Sequence, residues 1–152
     1  LSTRERPEIR RDCLELGVSQ ISAGSRTNPG GYGHETQHDA QFSLGDHRSL
    51  DEVVRDLAEH GFMPSFCTGC YRLGRVGADF MDLAKPGEIK THCDPNGVST
   101  FLEYLIDYAS PQTRQVGEAL IEKVLAEMSG YARSRAEKLV SRVKSGERDV
   151  YC

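Results

Sequence analysis

Three cysteines constrain this chain more than any other feature: the pair Cys67 and Cys70, separated by two residues, and Cys93, which follows after another 22. A Cys-x2-Cys turn brings two sulfurs to one metal centre. The intervening residues wrap around that centre and present backbone amides that hydrogen-bond the sulfurs. A fold in which Cys93 joins them must return a second segment to the turn. Cys93 precedes Asp94-Pro95-Asn96, a pattern that predicts the start of a helix, whose free amides would favour the thiolate.

Structural zinc wants four closed ligands, and only three cysteines are well placed. His92 could be a fourth, but neighbouring residues seldom both face one tetrahedral ion. Three thiolates would instead leave one iron of a 4Fe-4S cube open to something other than cysteine. From spacing alone, an iron–sulfur cluster, a zinc ion in a non-catalytic interaction module, and redox-active or buried thiols all stay open. Cys13 and Cys152 bring the total to five. An odd number without an export signal argues against a disulfide framework and for a reducing cytoplasm.

With 38% apolar and 28% charged residues among 152, the chain can bury a modest core. Its net charge of -4, with basic residues interspersed among acidic ones, argues against a nucleic-acid surface. No apolar run approaches the ~20 residues that span a bilayer. The opening at Leu1, a short polar stretch leading directly into a helix, reads as a chain that begins midstream.

Pro7 to Leu16 reads as a helix, with Pro7 at the first position, Ile9, Cys13 and Leu16 on one face, and Gly17 ending it. Val18–Ser22 then reads as a strand leading into the glycine-rich loop Gly24–Gly33. In a second unit, Ser49-Leu50-Asp51-Glu52 forms a capping box. Leu50, Val53, Val54, Leu57 and Ala58 make one apolar stripe, and Phe62–Phe66 reads as a second strand ending at Cys67. Beyond Cys93 the pattern is helical, over Ser99–Ala109, from Ser110-Pro111 to about Met128, and after Gly130. Helix, strand and glycine-rich loop in succession predict an α/β fold.

The strings SQISAGSRTNPGGY (19–32), QFSLGDHRSLDEV (41–53), PSFCTGCYRLGR (64–75) and DYASPQTR (107–114) resemble the radical-SAM tyrosine lyases of FeFe-hydrogenase maturation, in their C-terminal part. The resemblance runs over nearly the whole chain. It implies residues 1–66 as the last βα units of a TIM-type (β/α)8 radical-SAM barrel and residues 67–152 as a helical cluster-binding domain. It implies an enzyme that cleaves tyrosine to p-cresol and converts the remaining fragment to carbon monoxide and cyanide. Cys67, Cys70 and Cys93 match the family's auxiliary 4Fe-4S motif, which carries an additional iron. The complete enzyme also uses S-adenosylmethionine and a second 4Fe-4S cluster, and works with other hydrogenase maturation proteins. The Cys-x3-Cys-x2-Cys motif of that second cluster is absent from these 152 residues, so alone they are expected not to cleave tyrosine and to need the missing N-terminal half. The sister 2-iminoacetate synthases of thiamine synthesis are the alternative, against which the cysteine trio argues.

By the same resemblance, the loop carrying Ser22, Ser25 and Arg26 is the candidate binder of the tyrosine or S-adenosylmethionine carboxylate. Arginine grips such a group with two parallel hydrogen bonds. Asn28-Pro29-Gly30-Gly31 reads as a tight turn, its glycine spacing being wrong for a nucleotide fingerprint. His34, His38 and His47 fall in loops, and His60 closes a helix, where an imidazole complements the dipole. Arg72 and Arg75 follow the Cys-x2-Cys turn, where their charge can offset that of a cluster. Tyr104 and Tyr108, one turn apart, read as packing residues.

Overall fold

A computed structural model describes residues 1–33 and 41–152; His34 and His38 lie outside them. The chain forms two compact units, Leu1–Val53 and Val54–Cys152. Among the described residues no helix is long and apolar enough to cross a membrane.

In the first unit, α1 (Pro7–Glu15) begins with Pro7 at its first turn. Its expected apolar face is not the buried one: Ile9 is 39% and Leu16 85% exposed, while Arg10 is buried to 1%. A charge that deep must be paired and hydrogen-bonded. Arg10 Nη1 donates to Asp46, and Nη2 donates to the carbonyl of Ser22. Asp46 also accepts from the Arg48 amide at 3.1 Å, from Arg48 Nε at 2.9 Å and from Nη2 at 2.8 Å.

The expected α/β architecture does not form. Among the described residues there is no β-strand, and the chain is a small helical domain, not a portion of a TIM-type barrel. The physical reason lies in where the backbone amides go. A strand needs a repeating ladder with a neighbour, but Val18–Ser22 and the loop after it make isolated bonds. Ser22 N–H donates to Leu1 O at 2.8 Å, Gly24 N–H to Arg48 O at 3.2 Å, and Gln41 N–H to Thr27 O at 3.3 Å. Phe62–Phe66 likewise lacks a ladder: Phe62 N–H returns to Leu57 O at 2.9 Å, and Phe66 N–H donates to the Thr100 hydroxyl at 3.2 Å.

The capping box forms as its residues dictate. Ser49 N–H donates to the Glu52 carboxylate at 2.8 Å, and Glu52 N–H donates to Ser49 Oγ at 3.3 Å. It opens α2 (Leu50–Glu59), whose stripe of Val53, Val54, Leu57 and Ala58 is buried, while Leu50 stays 45% exposed.

The second unit is built on α5 (Lys90–Asp107), preceded by the short helices α3 (Gly69–Arg72) and α4 (Ala78–Ala84). It packs against α6 (Pro111–Glu127) and α7 (Gly130–Lys144). Val98, Phe101 and Leu105 of α5 are fully buried, with Leu120 and Ile121 of α6 and Leu139 and Val143 of α7 around them. The α5–α6 approach is close because position 117 has no side chain. A Cβ there would lie 2.6 Å from Leu105 Cδ2 and 2.9 Å from Phe101 Cζ.

Two predictions follow from this packing. Gly117→Ala should cost about 1–3 kcal/mol by overpacking, read as a lower denaturation midpoint with helix content kept. The second concerns acid. Burial alone would raise the Asp46 carboxyl, but hydrogen bonds from Arg48 and the charges of Arg48 and Arg10 hold it at about 2, against an ordinary 3.8. Its contribution, about 2 kcal/mol, is fully present above pH 3.8 and lost as pH falls through 2. Asp46→Ala should abolish this part of the acid profile and, by leaving Arg10 buried and unpaired, cost about 3–5 kcal/mol at neutral pH.

Candidate metal centre

The site is assembled on α5 from both sides. Helix α5 begins at Lys90, nine residues before its expected start, so Cys93 sits inside the first turns, not in front of them. Its amide is taken by Ile89 O at 2.8 Å. Pro95 lies within the helix, where its missing amide leaves the carbonyl four residues back, that of Thr91, without its helical partner. Arg135 Nη1 of α7 donates to that carbonyl at 3.2 Å.

The other segment is tied to the same helix. Phe66 stacks on Tyr104 with ring centroids 5.0 Å apart, and its amide reaches Thr100. Tyr104 is therefore the packing residue expected, whereas Tyr108 is 78% exposed. Cys67 follows directly, and α3 begins between it and Cys70. Gly69 N–H donates to Cys67 Sγ at 3.3 Å, the amide-to-sulfur bond that a Cys-x2-Cys turn supplies. Gly69 is buried, and a Cβ there would sit 3.1 Å from Tyr151 Cδ2 and 3.4 Å from Cys67 Sγ.

The three thiols feel one another. Partial burial first, then the charges of Cys70, Cys67 and Asp94, push the Cys93 thiol up, and Arg75 offsets part of this. Among the described residues, no three His, Cys, Asp or Glu side chains converge as one metal ion would need. A cavity of about 640 Å³ opens beside Cys93, lined also by Met63, Ser65, Asp94, Glu127 and Met128.

His92 is committed elsewhere. Its Nδ1 faces Arg75 Nη1 at 3.2 Å and Arg135 Nη1 at 3.0 Å. Two guanidinium donors make Nδ1 an acceptor, and burial followed by the charges of Arg135 and Arg75 lowers the imidazole pKa. Arg75 Nη2 continues to the carbonyl of Cys152 at 3.1 Å, while its Nε is buried with no hydrogen-bond partner among the described residues. Arg72 pairs with Asp149 and lies over the Tyr151 ring at 4.9 Å.

Residues 149–152 are strapped to this region. Buried Asn96 accepts from Cys152 N–H at 2.8 Å and donates to Cys152 O at 3.0 Å. Ser99 Oγ donates to Val150 O at 3.0 Å, and Val150 N–H donates to Glu103 at 3.1 Å. Sequence reasoning missed Asn96, Arg135 and Cys152, because their partners lie 43 to 56 residues away.

In the first unit, Ser22 and Arg26 are exposed. Both backbone groups of Ser22 are engaged, by Leu1 and Arg10. Arg26 Nη1 donates to Ser25 O at 3.1 Å, and its amide to the Tyr32 hydroxyl at 3.2 Å. His47 is exposed, and His60 Nδ1 lies 2.7 Å from the Asp56 carbonyl at the end of α2.

Residues 1–63 match the family model described as the Biotin and Thiamin Synthesis associated domain. Over its whole length the chain is similar to the solved structure of HydG, a maturase of the FeFe-hydrogenase. The two share 44% identity with a TM-score of 0.91, covering 100% of this chain and 33% of that one. The resemblance read from the loops and the cysteine spacing is borne out. Two curated relatives are 2-iminoacetate synthases: that of Salmonella typhimurium is 39% identical and that of Escherichia coli 37% identical, each over 76 residues. Those matches cover 50% of this chain and 20% of each relative. The chain thus spans about a third of HydG, and its matches a fifth of the synthases.

Asn96→Ala should release the strap. The Cys152 amide loses its acceptor, and its hydrogen exchange should accelerate by about tenfold or more, with the α6 and α7 amides unchanged.

Proposed function

We propose that this chain is the part of a radical-SAM tyrosine lyase that holds the auxiliary 4Fe-4S cluster, on Cys67, Cys70 and Cys93. The complete cytoplasmic enzyme would make carbon monoxide and cyanide from tyrosine for FeFe-hydrogenase cofactor assembly, together with other maturation proteins. The observation that carries this reading is whole-chain similarity to HydG coinciding with three thiols from two elements of one unit.

The residues fit a cluster in three ways. Gly69 already donates an amide to a ligand sulfur, as cluster cysteines require. Arg75 brings positive charge and a buried donor without a partner. Cys93 also lies near enough to Cys70 and Cys67 for them to push its thiol up, so the two segments bring their sulfurs to one region, as a cluster held by cysteines needs. When bound, the cluster would offer an iron without a cysteine ligand from these three, where a small ligand can attach. The work of the chain is to hold the thiolates, offset their charge through Arg75 and keep His92 neutral. The loop of Ser22, Ser25 and Arg26 is the proposed receiver of the tyrosine or S-adenosylmethionine carboxylate.

Anaerobic reconstitution with iron and sulfide should give a brown protein, and Cys67→Ser, Cys70→Ser or Cys93→Ser should each remove about four irons per chain. A colourless protein holding one tight zinc would sink the reading. The second reading, a 2-iminoacetate synthase of thiamine synthesis, draws on the two curated relatives. Product analysis of the complete enzyme separates the two, since only the first ends in carbon monoxide and cyanide.

A further inference from the structure

The strap at residues 149–152 joins the two segments that carry the cysteines. On one side it follows α5. The Val150 amide donates to Glu103 and its carbonyl accepts from Ser99, while the Cys152 amide and carbonyl are both taken by Asn96. Asn96, Ser99 and Glu103 recur at three and four residues, along one side of a helix. Cys93 begins that row, one turn earlier. The same strap meets the Cys-x2-Cys segment. Asp149 pairs with Arg72, whose guanidinium lies over the Tyr151 ring at 4.9 Å. That ring packs against Gly69, between Cys67 and Cys70, and Arg75 Nη2 donates to the Cys152 carbonyl at 3.1 Å. Phe66 ties the segment to α5 ahead of Cys67; the strap ties it from Gly69 onward.

The chemistry of these ties points to register. Val150 is 2% exposed and anchors the strap in the core, yet α5 also buries Asn96 and Ser99, at 2% and 0%. Burying an amide or a hydroxyl costs free energy unless its hydrogen bonds are made, and the Asn96 amide makes two to main chain 56 residues away. Apolar contact holds a tail down without fixing where it lies, whereas directed hydrogen bonds fix position along the helix.

We propose that Asn96 and Tyr151 are positioning residues for the cluster. Through the strap they hold the Cys-x2-Cys turn in register with Cys93, and so set how long a bound cluster is retained. This rests on the cluster reading above. Neither side chain is a ligand. Asn96 acts through the main chain of Cys152, and Tyr151 acts through Gly69, whose amide donates to Cys67 Sγ. Loss of either loosens the turn against α5 and leaves Val98, Phe101 and Leu105 in the core.

The test uses the protein reconstituted anaerobically with iron and sulfide, reduced with dithionite, and challenged with an excess of a ferrous-iron chelator. The readout is the rate of iron release. The wild type and Tyr151→Phe, which keeps the ring, should release iron at the same slow rate. Tyr151→Ala and Asn96→Ala should release it about tenfold faster, with amide exchange at Val98, Phe101 and Leu105 unchanged. Tyr151 is only partly buried, so its truncation keeps the test open if Asn96→Ala fails to fold. Equal rates in the wild type and the alanine variants would overturn the proposal while leaving the cluster in place. So would release that accelerates only together with exchange in the core, or a Tyr151→Phe as fast as Tyr151→Ala. A wild type that takes up no cluster would overturn the reading on which the proposal rests.

Discussion

Two chain segments must be held side by side if Cys67, Cys70 and Cys93 are to share one small region. Their nearness is felt at Cys93, whose thiol is pushed up by burial first and then by Cys70 and Cys67. The second unit meets this with geometry fixed independently of the site. Cys93 rides on α5, whose position is set a turn later by fully buried Val98, Phe101 and Leu105. The Cys-x2-Cys turn hangs from the same helix through Phe66, on Tyr104 and Thr100. Both cysteine segments are therefore referred to one rigid element, and the hydrophobic core supplies the free energy that holds them together.

Much of this was legible where the signal is local. The capping box at Ser49, the Ser110-Pro111 start of α6 and the helix after Gly130 all form as read, because each depends on residues within one turn. The two short strands did not form. Val18–Ser22 and Phe62–Phe66 are apolar enough to pair, but pairing is a property of a neighbour, and the chain supplies single acceptors in place of a ladder. The stripe of Ile9, Cys13 and Leu16 failed for a related reason. Arg10 found Asp46, 36 residues away, and once that pair was buried the helix had to turn its charged face inward.

Burying Arg10 engages both its terminal nitrogens, while its Nε has no hydrogen-bond partner among the described residues. Asp46 is held by Arg48 on its other side, and its own amide and that of Gly45 both donate to Thr3 O, at 3.0 and 2.9 Å. Gly45 is glycine for a reason of space, since a Cβ there would collide with Arg4 O and lie 2.8 Å from the carbonyl carbon of Glu5. The first unit thus replaces the expected sheet with an ion pair and a close backbone crossing. Neither has a periodic signature in sequence. The family match over residues 1–63 shows that the segment is a recurrent one, which pattern alone did not reveal.

Pro95 links the errors of reading to the chemistry. A proline after Asp reads as the start of a helix, and the structure instead places it inside one, where it strips the Thr91 carbonyl of its helical donor. That carbonyl draws Arg135 from α7, and the same guanidinium then reaches His92 Nδ1 and the thiol of Cys152. One missing amide therefore brings a fixed positive charge to the region of the three cysteines. Arg75 arrives at His92 from the opposite segment, so the imidazole is held as a neutral acceptor between two cations and withheld from any metal. What began as three cysteines at a suggestive spacing has two guanidinium groups meeting at the residue beside Cys93, and that charge comes from residues that no cysteine motif contains.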